Sequence, residues 1–305
     1  MFPRTEATLR SAEQRLWDFY HLDVTEHTVH VDSIGADVRC NITGDGPPVV
    51  LVHGTMTAGA SWASLMSDLP DFRCIAIDRP GYGLSSLPKP RPASIGQHEQ
   101  VADDLVAGVL DGLCIDKAHV IGTSMGGWTM FRGAAAHPDR HLCLFQLAWS
   151  MGLTATPPLS MRMPSPGFVW NRPIATPRIV RTMLKRAGMR RAVKSGGFSK
   201  AMIDWMVELI RCTPTAKNEA TRGLRPATLR GGVDEVLFTP NLIRHISART
   251  HIFWGREEIM GSPTTAREFV EALPNATLQI VPRAGHAPWL DEPALAAHAI
   301  RRHFR

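Results

Sequence analysis

The 305-residue chain predicts an α/β fold built on a mainly parallel sheet, and three observations carry that expectation. Short β-rich apolar runs alternate with helical periodicities, the order that covers both faces of a parallel sheet with helices. Val49-Val50-Leu51-Val52 is apolar throughout, as a strand buried on both faces must be. Gly122-Thr123-Ser124-Met125-Gly126 falls where a strand pattern turns into a helix pattern.

Taken in order, Ser11 to Tyr20 has the spacing of a short amphipathic helix, expected to pack outside the domain proper as an extension over 1–24. Thr25 to Val31 and Asp37 to Thr43 alternate like the strands of an opening hairpin, ahead of the buried runs Val49 to Val52 and Arg73 to Ile77. Ile95 to Leu113 reads as a helix with Ser94 at its N-cap. Strands are expected at Ala118 to Ile121 and His141 to Leu147, on either side of the helix that follows Ser124. From about Ser150 to His245 the rhythm breaks: Pro157, Pro158, Pro164, Pro166, Pro173 and Pro177 punctuate the first half. Met- and Arg-rich helical stretches, Met183 to Val193 and Ala201 to Cys212, fill the second. That segment, 150–245, is expected to be a helical cap inserted between core segments 25–149 and 246–305. The core resumes with His251 to Trp254, a helix near Pro263 to Leu273, Thr277 to Val281, and a closing helix from Glu292 to His303.

Composition narrows the class. No apolar run approaches the roughly 18 residues of a membrane span, and the start of the chain is interrupted by Arg10, Glu13 and Arg15, unlike the apolar core of a secretion signal. The expectation is a cytoplasmic protein. Five scattered cysteines without C-x-x-C spacing argue against a disulfide framework and against structural zinc. The net charge of +6 is concentrated in the inserted segment, where Arg178, Arg181, Lys185, Arg186, Arg190, Arg191 and Lys194 follow closely on one another. A solvated helical face accounts for such a run; attraction of anionic substrates or of an acidic membrane surface is the functional alternative. Nucleic acid is not expected, since no recognised module accompanies the charge.

The chemistry centres on Ser124. A G-x-S-x-G turn between strand and helix strains and exposes its serine, and the small flanking residues let neighbouring backbone approach. An activated serine needs a base, an acid to orient the base, and amide donors where negative charge develops. His286, in Ala284-Gly285-His286-Ala287-Pro288-Trp289 after the last strand pattern, is the candidate base. The acid is expected after the preceding strand, where Glu257 and Glu258 compete in Trp254-Gly255-Arg256-Glu257-Glu258; Glu258 is favoured, leaving Glu257 as a surface charge. The turn His53-Gly54-Thr55-Met56 after Val52 offers amides to the nucleophile, so the backbone N–H groups of Thr55 and Met125 are the expected oxyanion donors, with His53 bracing the loop. Substrate contacts are assigned to Trp149, just beyond a strand end, and to Trp170 and Trp205 in the cap.

These segments resemble the α/β-hydrolase superfamily from about Thr25 to Arg305. The resemblance rests on His53-Gly54 with Trp62 downstream, Asp78-Arg79-Pro80-Gly81-Tyr82-Gly83-Leu84-Ser85, the Ser124 elbow, Trp254-Gly255-Arg256-Glu257-Glu258, and Gly285-His286 followed by Asp291-Glu292-Pro293. It implies an eight-stranded, mostly parallel sheet with a helical cap, a Ser124, Glu258, His286 triad, and a structural role for Asp78. The glutamate at 258 departs from the usual aspartate. The implied activity is an esterase acting through an acyl-enzyme on small to medium apolar carboxylic esters, with no cofactor and no metal. Carbon–carbon bond hydrolases of ring-cleavage pathways, lactonases and perhydrolases share the constellation, as does a lipase whose cationic lid docks on anionic interfaces. A ligand receptor on the same fold is the reading from another class.

Overall fold

The computed structural model describes residues 5–148, 175–222 and 238–305. Eight strands form one sheet: β1 Thr25–Val31, β2 Ala36–Thr43, β3 Pro48–Val52, β4 Arg73–Ile77, β5 Ala118–Thr123, β6 His141–Leu147, β7 Arg249–Gly255 and β8 Ala276–Val281. Their order across the sheet is β1-β2-β4-β3-β5-β6-β7-β8. The opening hairpin is antiparallel, β2 also runs antiparallel to β4, and every later pairing is parallel.

Because side chains alternate along a strand, each central strand feeds two cores. Val49, Leu51, Ile121, Phe145 and Phe253 face one layer; Val50, Val52, Val120, Leu144 and Ile252 face the other. The second layer is closed by the helices Ile95–Gly112, Met125–Ala136 and Pro263–Ala272. The first of these starts on a full capping box, with Ser94 accepting from the Gln97 amide at 3.3 Å and Gln97 from the Ser94 amide at 3.2 Å.

The N-terminal helix differs from its expectation in extent and place. It spans Glu6–Phe19 and belongs to the first core, with Leu9 and Leu16 fully buried. Burial of each contributes on the order of 1.5–3 kcal/mol, so the helix is a layer of the fold. Its partner is the helix Lys200–Cys212 of the inserted segment, which buries Met202, Trp205, Met206 and Leu209 in that core. Glu13 is buried there between Arg39, which donates to it twice (2.6 and 3.0 Å), and the Trp205 indole N–H at 3.2 Å. Arg39 also reaches Glu26 at 2.7 Å and Asp78 at 3.6 Å.

Where one helix was expected over Met183 to Val193, the structure has two, Pro177–Arg186 and Arg190–Ser195, separated at Gly188. Gly188 takes φ +87°, and the Met189 amide turns back to the Leu184 carbonyl at 3.0 Å, a left-handed helix stop. Near the end of the inserted range, Phe238, Ile243 and Ile246 pack with Phe131 and Phe269 in the second core.

Candidate active site

Parallel strands deliver the residues that follow them to one edge of the sheet, where α/β proteins build sites. Ser124 follows β5, Glu258 follows β7 and His286 follows β8, so all three arrive at that edge. Among the described residues, three of the five non-glycine residues with positive φ lie there too: Met56 after β3 (58°), Ser124 (50°) and Ala148 after β6 (62°). Backbone strain of this kind persists only where the surroundings enforce it.

At Ser124 the surroundings are tight. Backbone at φ 50° and ψ −125° links the last residue of β5 to the first of the helix Met125–Ala136, and the residue is half-buried. A β-carbon on Gly126 would lie 2.0 Å from the Val52 carbonyl oxygen, and one on Gly122 would lie 2.7 Å from the Gly127 Cα. The elbow therefore requires glycine at both positions. The loop after β3 presses on the serine from the other side: a β-carbon on Gly54 would sit 3.3 Å from the Ser124 Cβ.

Thr55 belongs to that loop, and Met125 carries the first amide of its helix, which has no intrahelical acceptor. Neither amide has a hydrogen-bond partner among the described residues. His53 is buried beneath the loop, donating from Nδ1 to the Gly54 carbonyl at 2.7 Å and accepting the Arg79 amide at Nε2 at 2.9 Å. Burial, with the Arg79 charge beside it, holds its pKa well below 6.5, so it is a neutral brace. Asp78 likewise serves the turn: fully buried, it accepts from the Gly59 amide at 2.6 Å and the Leu84 amide at 3.0 Å.

Glu258 and His286 meet. The carboxylate Oε2 accepts from His286 Nδ1 at 2.7 Å, and Oε1 accepts the Met260 amide at 3.0 Å. Both side chains are shielded from solvent, whereas Glu257 is exposed. Burial lowers the His286 pKa; the Glu258 charge and hydrogen bond outweigh it, and the net shift is upward. Ser124 Oγ makes no hydrogen bond among the described residues.

Support for the histidine loop comes from two further residues, one close in the chain and one distant. Asp291 accepts the Gly285 amide at 2.8 Å, and the Gly188 carbonyl of the inserted segment accepts the His286 amide at 3.2 Å. The Gly188 contact joins chain positions far apart, which only packing reveals.

Of the expected substrate residues, Trp149 and Trp170 lie outside the described residues. Trp205 is fully buried, with its indole N–H committed to Glu13; the structure gives it a packing place against the N-terminal helix and not a place beside Ser124. A cavity of about 80 Å³ touches Met125, Thr129, Trp128, Arg79, Tyr82 and Asn218 on the flank of the elbow helix. Among the described residues no group of histidine, cysteine and carboxylate side chains is arranged to hold a metal, all five cysteines are free, and no helix is long and apolar enough to cross a membrane.

Comparison with known proteins gives a consistent class. Residues 49–299 match the model of the alpha/beta hydrolase family. The chain is 27% identical over 276 residues to a 2-hydroxymuconate semialdehyde hydrolase of Pseudomonas sp. (strain CF600), covering 88% of this chain and 90% of that one. It is 26% identical over 264 residues to a pimeloyl-[acyl-carrier protein] methyl ester esterase of Nitrosomonas europaea, with 85% and 96% covered. Its fold superimposes on the naproxen esterase (carboxylesterase NP) of Bacillus subtilis with a TM-score of 0.74 at 16% identity, over 98% of each chain.

Proposed function

We propose that this chain, which belongs to the alpha/beta hydrolase family and is a hydrolase, is a serine hydrolase cleaving small to medium apolar carboxylic esters through an acyl-enzyme. The observation that carries the reading is the buried Glu258–His286 pair delivered to the sheet edge that also bears the strained Ser124 elbow. In this reading Ser124 Oγ attacks the ester carbonyl while His286 Nε2 takes its proton. Glu258 holds the imidazole by Nδ1 and stabilises the imidazolium that forms. The carbonyl oxygen, now anionic, accepts from Thr55 and Met125 N–H, aided by the positive end of the helix that begins at Met125. His286 returns the proton to the leaving alcohol, and a water deprotonated by the same histidine releases the acid. The steps need no cofactor.

The 12-residue helix behind the elbow and the Gly54 loop against Ser124 support the oxyanion assignment. Trp149 and Trp170, with other residues of the inserted segment acting as a cap over 150–245, are proposed to shape the acyl or alcohol pocket. A second reading, hydrolysis of a carbon–carbon bond in a vinylogous diketone, is favoured by the likeness to the 2-hydroxymuconate semialdehyde hydrolase named above and by the cationic inserted segment, which suits an acidic substrate.

The test is turnover on a chain-length series of activated esters and on a ring-cleavage diketone, together with fluorophosphonate labelling. Wild type is expected to be labelled at Ser124 and to favour esters of medium length. Ser124→Ala is expected to lose labelling and at least about 10³-fold in kcat. Wild-type turnover by that variant would end the proposal, and turnover of the diketone without the esters would move it to the second reading.

A further inference from the structure

The cation beside the nucleophile is used in an unexpected way. Arg79 sits in the turn after β4 and donates from Nη2 to the Gly54 carbonyl at 2.9 Å, the same oxygen that accepts from His53 Nδ1 at 2.7 Å. Its backbone amide donates to His53 Nε2 at 2.9 Å, so one residue closes the ring Arg79–His53–Gly54 from both ends. The guanidinium lies 4.4 Å over the Tyr82 ring, and its Nε is buried with no partner. Among the described residues it has no ion-pair partner; the carboxylate of Glu219 is bonded to the Tyr82 hydroxyl instead.

The Gly54 carbonyl and the Thr55 N–H are two ends of one peptide unit. That bond is trans, the described cis bond being Lys89-Pro90, so its C=O and N–H point in opposite directions and cannot turn independently. Two donors gripping the oxygen therefore aim the N–H, and a cationic donor polarises the amide so that the N–H becomes a stronger donor. The loop needs such a grip, because the next residue, Met56, is held at φ 58° and Gly54 lies against the Ser124 Cβ.

We propose that Arg79, acting with His53 through the Gly54 carbonyl, is a positioning residue that orients and polarises the Thr55 amide toward the developing oxyanion. The inference rests on the serine-hydrolase reading above. It assigns a catalytic contribution to a side chain in a segment otherwise read as a structural turn.

The experiment compares wild type, Arg79→Gln and Arg79→Lys by kcat and KM on an activated ester. It adds the affinity of a trifluoromethyl ketone, which Ser124 converts to an anionic hemiketal, against that of the ester's alcohol product. A removed oxyanion donor costs about 10²–10³ in kcat, and an indirect support is expected to cost about 10–100-fold in Arg79→Gln. KM and alcohol affinity should stay within about twofold, while ketone affinity falls in step with kcat. Arg79→Lys keeps the charge but not the planar fork over Tyr82, and is expected to lose about 3–10-fold. Wild-type kcat and ketone affinity in either folded variant, or a loss confined to KM, overturns the proposal. Should Arg79→Gln not fold, Arg79→Lys decides. A wild type that fluorophosphonate does not label at Ser124 removes the underlying reading instead, so the two failures are distinct.

Discussion

His286 at one edge of the sheet and the buried histidines at the other are treated in opposite ways, and His53, buried at the first edge without a carboxylate partner among the described residues, sides with the second group. At the edge where the parallel strands end, His286 is sealed from solvent, yet the Glu258 carboxylate raises its pKa above the usual 6.5. At the edge where they begin, His119, His141 and His251 are also buried, but among the described residues none of them is hydrogen-bonded or ion-paired to a carboxylate, and burial pushes each down to about 4. His119 stacks on Phe304 at 4.2 Å with Nδ1 unpartnered, and His251 lies among Phe145 and His303 with Nε2 unpartnered. The same imidazole is a chargeable base at one end of the sheet and a neutral aromatic filler at the other. Burial alone favours the neutral imidazole; a carboxylate on one ring nitrogen favours the charged form.

The sharpest way to break this contrast is to neutralise the carboxylate. Glu258→Gln is expected to lower kcat by about 10²–10⁴, as loss of an orienting acid does. It should also move the acid limb of the kcat/KM profile to lower pH. In wild type that limb should lie above pH 6.5, because His286 must be neutral to accept the serine proton and its raised pKa keeps it charged to higher pH. Glu257→Gln, one residue away but exposed, should stay within about twofold. Equal losses in the two variants would contradict the assignment.

The opposite edge is tested by stability. Its histidines are neutral when folded, so above pH 6.5 they carry no penalty. As pH falls from 6.5 toward 4 the unfolded chain binds protons that the folded chain refuses, and stability declines across that window. The raised pKa of His286 works with the opposite sign, adding stability at low pH that is lost as pH rises through its folded value. His53, His98 and His303 share the depressed sign, while the raised carboxyls of Asp78 and Asp291 act with the sign of His286, so one site's contribution is isolated by substitution. His119→Phe keeps the stack on Phe304 and removes one titrating site. It is expected to raise the melting temperature at pH 5 by about 2–4 °C relative to wild type, and to leave ester turnover at pH 8 unchanged. A melting temperature equally pH-dependent in the variant would show that His119 is not among the groups responsible.

Much of this was legible because it is local. Each strand declared itself by its alternation or its apolar run, and the helix Ile95–Gly112 by the Ser94 and Gln97 cap. The elbow could be read because G-x-S-x-G between a strand and a helix pattern is a local signal, although the carbonyl that Gly126 must clear, that of Val52, is distant in sequence. Where sequence reading failed, non-local packing decided. The N-terminal helix has an ordinary amphipathic pattern, and nothing in it shows that Glu13 meets Arg39 and Trp205 inside the core. Trp205 looked like pocket lining because a cap tryptophan has the same composition whether it faces a ligand or another helix.

The order of motifs along the chain was enough to determine the α/β fold, the family and two of the candidate catalytic side chains, Ser124 and His286, since strand periodicity and parallel crossovers bring strand ends to one edge. The motifs favoured Glu258 over Glu257, and only tertiary structure shows that Glu258 is the one that meets His286. Tertiary structure alone revealed the Gly188 carbonyl beneath the His286 amide and the Arg79 grip on Gly54. Each of these contacts ends on a backbone carbonyl, a group that every residue possesses, and so the acceptor leaves no mark in the sequence.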